Sequence, residues 1–206
     1  MKPNKILFLK FIVILPLLLL ASGISFAQET SSGNKNKAFF GAQLNATWLR
    51  VEVVSELNDK DTTEDNSTKL GSGLTFIGGY RLTNVSFSGA YSTAVYEGKK
   101  TTSYSVLVDW VPDSWFYLGG GAGVSTLEWT EDLSVNAPLD GVTVTYPTII
   151  FQVGGRYDLT ENIELDYGYR TMGILLNKEI DTDSEAKVSA VGGNSFLFYL
   201  GFRAFL

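Results

Sequence analysis

Residues 196–206 read F-L-F-Y-L-G-F-R-A-F-L. Taken with period two, one face is Phe196, Phe198, Leu200, Phe202, Ala204 and Leu206, wholly apolar. The other is Leu197, Tyr199, Gly201, Arg203 and Phe205. A soluble sheet hides an apolar face under a second layer, whereas a membrane barrel turns it toward lipid. The same alternation recurs upstream. From residue 38, Phe40, Ala42, Leu44, Ala46 and Trp48 oppose Gly41, Gln43, Asn45 and Thr47. A second strand over 69–82 carries Leu74, Phe76, Gly78 and Tyr80 on its apolar face. A third starts at Val85, with Phe87, Tyr91 and Val95 opposing Ser86, Ser88 and Ser92. A fourth sets Tyr104, Val106, Val108 and Trp110 against Ser103, Ser105 and Asp109. The fifth, 115–129, contains G-G-G-A-G at 119–123, which suggests a bulge or close approach and leaves its register open. The sixth presents Ile149, Phe151, Val153 and Tyr157, and the seventh Ile163, Leu165, Tyr167 and Tyr169.

The connections also alternate. A polar, acidic loop covers 58–68, and Thr83 and Asn84 make a tight turn. Gly98, Lys99 and Lys100 form a short connection, and Pro112, Asp113 and Ser114 another turn. A loop spans 131–140, a turn 158–162 and a polar loop 177–194. Eight strands with short turns at one end and longer loops at the other predict an all-β, eight-stranded antiparallel up-and-down transmembrane β-barrel. Trp48, Trp110, Trp115 and Trp129 are placed as interfacial aromatics, two at each membrane level.

Charge decides which face is inside. Four arginines share the pattern G-x-R: Gly79 with Arg81, Gly154 with Arg156, Gly168 with Arg170 and Gly201 with Arg203. A glycine at i−2 shares the arginine's face and is expected to clear space beside the guanidinium. Asp109, Glu164 and Asp166 fall on the same face. An arginine on the lipid face costs about 2–4 kcal/mol at the bilayer midplane, so Arg170 with Asp166 belongs inside. The predicted lumenal network is therefore Arg81, Asp109, Arg156, Glu164, Asp166, Arg170 and Arg203. Buried charges there must pair, and a cross-wall tie is the plain reading. Acidic groups at Asp59, Asp61, Glu64 and Asp65, and at Glu179, Asp181, Asp183 and Glu185, read as solvated loops.

The N-terminus changes the boundaries. Lys2, Lys5 and Lys10 precede an apolar run at 6–20, and Ser25, Phe26 and Ala27 offer small residues at −3 and −1. Residues 1–27 read as a secretory signal peptide cut after Ala27. Residues 28–37 follow as a flexible periplasmic tail and 38–206 as the barrel domain. The net charge is −6, and only basic residues leave with the signal, which disfavours nucleic acid. With no histidine and no cysteine, a His general base, a Ser-His triad, His-ligated metal and disulfides have no residues to use. No catalytic, cofactor-binding or metal residues are assigned, and no cofactor is expected.

Residues 154–172, with Y-G-Y-R-T at 167–171, resemble the penultimate hairpin of small Gram-negative outer-membrane β-barrel proteins of the opacity-protein, OmpA-barrel and OmpX type. Tyr199, Gly201, Ala204 and Leu206 resemble the C-terminal signal read by the barrel-assembly machinery, with Leu206 where that family usually ends in Phe. The resemblance implies a Gram-negative outer-membrane location and no agreed biochemical activity. Barrel enzymes of similar size that act on lipid A are poor matches, because their essential histidine has no counterpart here, and no enzymatic activity is expected. The partners it implies are membrane lipid, lipopolysaccharide, the assembly machinery and an unidentified extracellular ligand, the chain acting as a monomer. A surface role in adhesion or envelope integrity follows. A narrow channel for ions or small solutes and a soluble periplasmic lipocalin-like binder are the alternatives.

Overall fold

A computed structural model describes residues 36–57, 60–112, 115–134, 138–174, 178–180 and 187–206, all within the compact unit Asn34–Leu206. Ala27 and the 1–27 segment lie outside the described residues. Among these residues the strands are β1 (Lys37–Leu57), β2 (Lys60–Asp65), β3 (Thr68–Arg81), β4 (Val85–Tyr96) and β5 (Lys99–Trp110). They continue with β6 (Phe116–Trp129), β7 (Thr143–Thr160), β8 (Ile163–Ile174), β9 (Lys178–Ile180) and β10 (Lys187–Phe205). Each pair is antiparallel. The order β1-β3-β4-β5-β6-β7-β8-β10 closes on itself through β1–β10 pairing. Closure leaves no open edge among the eight ring strands, as a membrane-spanning sheet requires.

Every ring strand turns apolar side chains outward. Phe40, Phe76, Phe87, Val106, Leu118, Phe151, Ile163 and Phe202 are 41–65% exposed, one from each strand. Their partners in the alternation are buried, including all seven charged residues assigned to the lumen. A lipocalin-like barrel would have the opposite polarity. Leu206 donates its N–H to Ala38 O (3.0 Å), and Phe205 donates to Asn162 O (2.8 Å). Val111 donates to Asn84 O at 2.8 Å. The two chain ends of the barrel and the short turns therefore share one rim.

The opposite rim differs from the sequence expectation. The 58–68 loop contains β2, which pairs with the far end of β1. The 177–194 loop contains β9 and the start of β10, with Val188 and Ala190 fully buried. These ribbons continue the barrel wall past the apolar belt. Their sequences, K-D-T-T-E-D and K-E-I, are mostly polar, so the apolar alternation that marks the other strands is missing. Lys99 and Lys100 belong to β5 rather than to a connection, and only Glu97 and Gly98 form the turn, with Gly98 at φ 70°. The sixth predicted strand starts earlier, at Thr143, and runs to Thr160. The glycine-rich β6 pairs without a register shift on either side, so it holds no bulge.

Trp129 is a correction. It is fully buried inside the barrel, whereas Trp110 and Trp115 are 53% and 45% exposed at the short-turn rim. Trp129 lies two residues past the buried Leu127 and so shares its inward parity. Trp48 does face out, and its aromatic company is Phe198 (5.7 Å, edge-on) rather than a second tryptophan. A variant retaining only Trp129 should show little quenching of its fluorescence by brominated detergent, and one retaining only Trp110 strong quenching. Equal quenching would contradict the assigned faces.

Candidate functional site

The lumen is organised by rows of inward residues that are direct neighbours across strands. One row is Asp109 (β5), Gly119 (β6), Gln152 (β7) and Arg170 (β8). Asp109 passes over Gly119 to accept from Gln152 Nε2, and Gln152 Oε1 accepts from Arg170 Nε at 2.8 Å. A Cβ at 119 would overlap Asp109 Oδ1. The next row is Tyr117 (β6), Gly154 (β7), Gly168 (β8) and Tyr199 (β10). The two rings lean over the two glycines and meet hydroxyl to hydroxyl. The third is Arg156 (β7), Asp166 (β8), Gly201 (β10) and Gln43 (β1). Here Gln43 Nε2 crosses Gly201 to donate to Asp166 Oδ2 at 2.7 Å.

Asp166 is the hub. It also accepts from Tyr117 OH (2.9 Å) and Arg203 Nε (2.8 Å). Arg81 grips Glu164 through both Nη atoms. Arg156 Nη2 lies 3.4 Å from Asp109 Oδ2 and its guanidinium stacks on Tyr117, 4.3 Å from the ring centre. The structure thus brings the seven predicted charged residues into one half of the lumen, and adds Gln43, Tyr117, Gln152 and Tyr199. These four carry no charge, so the charge pattern does not mark them, and Tyr199 stands out in the sequence only as part of the C-terminal signal. A signal existed: an inward tyrosine or amide two places from a glycine in the paired register. The G-x-R glycines do not make room for guanidiniums as expected. Gly154, Gly168 and Gly201 clear the paths of Tyr117, Tyr199 and Gln43, and Gly79 faces the β4 backbone at Phe87 and Ser88. An arginine is long enough to leave its own row, whereas a tyrosine or glutamine must cross the neighbouring strand directly.

Above this half lies a hydroxyl layer. Thr75 accepts from Asn45 Nδ2 and meets Ser92, both at 2.8 Å, and Thr47 meets Tyr96 OH at 2.9 Å. Next comes an apolar plug of Leu49, Val51, Leu127, Trp129, Leu139 and Tyr146. Leu139 comes from the loop after β6 and folds inward.

At the loop rim Lys99 donates to Asp65, and both are buried. Asp65 was expected to be a solvated loop acid. Of its predicted group, the side chains of Asp59, Asp61 and Glu64 lie outside the described residues, as do Asp181, Asp183 and Glu185, while Glu179 is exposed. Burial alone would push the Asp65 carboxyl up. The Lys99 ammonium, with the N–H and hydroxyl of Ser67 at 2.9 and 2.7 Å, outweighs it and holds Asp65 below its ordinary value. Among the described residues no cluster of three or more metal-ligating side chains occurs.

An apolar exterior around a closed ring, with charges paired inside it, defines a transmembrane β-barrel fold. Neither a family model nor a curated protein sequence matches the chain. Solved structures do. Neisserial surface protein A aligns with TM-score 0.53 and 19% identity over 81% of this chain and 97% of that one. Outer membrane protein AlkL, determined in lipid bilayers, aligns with TM-score 0.50 and 18% identity over 87% and 95%. The likeness is one of fold: the chain has the fold of the small eight-stranded outer-membrane barrels.

Tyr117→Phe removes a hydroxyl that serves both Asp166 and Tyr199. It should lower unfolding stability in detergent by about 1–3 kcal/mol, read from urea titration. Acid should act elsewhere. Because the folded Asp65 carboxyl titrates below its unfolded value of about 3.9, its contribution is full above that pH. It is lost as pH falls through the lower folded value. Amide exchange in the β1–β2 ribbon should therefore accelerate selectively below about pH 4, and Lys99→Met should show fast exchange already at neutral pH.

Proposed function

We propose that the mature chain is an integral outer-membrane barrel without catalytic activity. It serves adhesion or envelope integrity through the loops at the rim opposite the chain termini. The observation that carries this reading is the pairing of a lipid-facing apolar belt on all eight ring strands with a lumen filled at every level. In such a molecule the surface left for recognition is the loop rim. The short-turn rim with both barrel ends corresponds to the periplasmic side in this reading. Residues 1–27 act as the export signal. Tyr199 and Gly201, which face inward, and Ala204 and Leu206, which face outward, serve as the assembly signal. Lipid and lipopolysaccharide surround the belt, and the chain acts as a monomer.

The channel reading meets two obstacles. Ion-paired side chains occupy the short-turn half, and the Trp129 plug occupies the loop half. An eight-stranded barrel has room for its side chains and little else.

The test is fractionation followed by a gel of unboiled and boiled samples. The mature protein should pellet with outer membranes, migrate anomalously until boiled, and lose its loops to protease on intact cells. In planar bilayers it should conduct little. Recovery in the soluble fraction, or a reproducible unitary conductance changed by Arg170→Ala, would overturn the proposal.

A further inference from the structure

Several inward glycines clear a path for a crossing side chain; two outward glycines have no such use. Gly78 (β3) and Gly89 (β4) are exposed, lie on the apolar belt and pair directly with each other. Among the described residues a Cβ at either would meet only one backbone oxygen, Phe39 O at 3.8 Å or Ser105 O at 4.0 Å. The chain's own packing therefore does not call for glycine at these positions. Glycine inside a strand costs stability, and strand positions favour β-branched and aromatic side chains. The reason for this pair lies outside the chain.

What the pair makes is a furrow. The outward row runs from Phe40 (β1) through Gly78, Gly89 and Val106 (β5) to Ala122 (β6), each opposite the next. One wall is Phe76, Tyr91 and Tyr104, with the two tyrosine rings 5.1 Å apart. Tyr80 and Phe87, both exposed, stand on the other side of the glycines. The furrow has a volume of about 700 Å³ and an almost wholly apolar lining. With strands about 4.8 Å apart, its floor from Phe40 to Ala122 is about 19 Å long. Same-face residues on a strand are about 7 Å apart, so the walls rise about 13 Å apart at the backbone and their rings fill much of that. The remaining gap admits one extended alkyl chain and excludes a helix, which is about 10–12 Å across. Gly78 lies three residues from the end of β3 and Gly89 four from the start of β4, both short-turn ends. The furrow therefore starts in the half of the belt nearest the short turns.

We propose that this furrow holds one acyl chain of a phospholipid from the leaflet on the short-turn side, with Gly78 and Gly89 as its floor. The inference rests on the outer-membrane reading above, in which that leaflet is the periplasmic one. A chain seated between the walls touches the floor and the aromatic rings at once. It gains more dispersion contacts than a chain lying against a smooth wall. A side chain at either glycine would take the space the chain needs, which is the reason for glycine there.

The experiment is refolding into phosphatidylcholine vesicles that carry a small fraction of phosphatidylcholine with a photoactivatable diazirine in one acyl chain. The labelled residues are mapped after irradiation. Labelling at Phe76, Tyr91 and Tyr104 should exceed that at Phe151 and Phe202, which are outward and exposed away from the furrow, several-fold. Gly89→Leu fills the floor and should bring the furrow down to the level of the belt. Gly173→Leu, at an outward glycine of β8 with the same free space, should leave the excess unchanged. Added lipopolysaccharide should leave the ratio of furrow to belt labelling unchanged. Even labelling around the belt would overturn the proposal and leave the outer-membrane reading intact. So would a furrow labelled less than the belt, the result expected if two copies of the chain met there. An excess that persists in Gly89→Leu, or a ratio that falls as lipopolysaccharide is added, would also overturn it. A chain that stays outside the vesicles and takes no label would overturn the outer-membrane reading and the proposal with it. If Gly89→Leu does not refold, the label map of the unchanged chain still decides.

Discussion

The three polar rows of the lumen are joined by side chains that cross an intervening strand, and each crosses where that strand carries an inward glycine. Asp109 reaches Gln152 over Gly119, Tyr117 reaches Tyr199 over Gly154 and Gly168, and Gln43 reaches Asp166 over Gly201. A Cβ at any of these positions would overlap the crossing group or the backbone beside it. Glycine weakens a strand in isolation. Here the loss is offset, because a buried carboxylate or guanidinium without partners costs several kcal/mol. The glycines are thus the condition for linking Asp109 and Asp166 to partners two strands or more away inside a narrow barrel.

The layering follows from that condition. Ion pairs and amides fill the half nearest the short turns, hydroxyls the middle, and Leu49, Leu127, Trp129 and Leu139 the half nearest the loops. Each layer ties several strands, so the ring is braced from within as well as by its ladder. The outside carries no comparable organisation. Away from the furrow at Gly78 and Gly89, its apolar residues need only be apolar, since lipid makes no specific demand on them.

Much of the fold was legible in the sequence because the ring strands alternate strictly. The terminal face from Phe196 to Leu206, the inward parity of Arg170 and Asp166, and the short turns could all be read from period two. What escaped reading lies where the outer solvent changes. The β2 and β9 ribbons stand beyond the apolar belt, and their short, mostly polar sequences resemble loops. Lys99 was hidden for the same reason: a lysine beside Gly98 looks like a turn residue until Asp65 is brought to it. Trp129 failed differently. Its depth along β6 suits an interfacial girdle, but its parity with Leu127 sends it inside. The partners of the charged network required cross-strand register, which the glycines of β6 left open until pairing fixed Asp109 against Gly119.

The claim that glycine permits the crossing is tested most directly by a double-mutant cycle on Gly119→Ala and Asp109→Ala, measured by denaturant unfolding in detergent. The added methyl meets chiefly the Asp109 side chain. It should therefore destabilise the unchanged chain and cost much less once Asp109 is alanine. The coupling energy should be at least about 1 kcal/mol. Additive effects, within about 0.5 kcal/mol, would show that Gly119 does not serve the passage of Asp109 and would contradict the account.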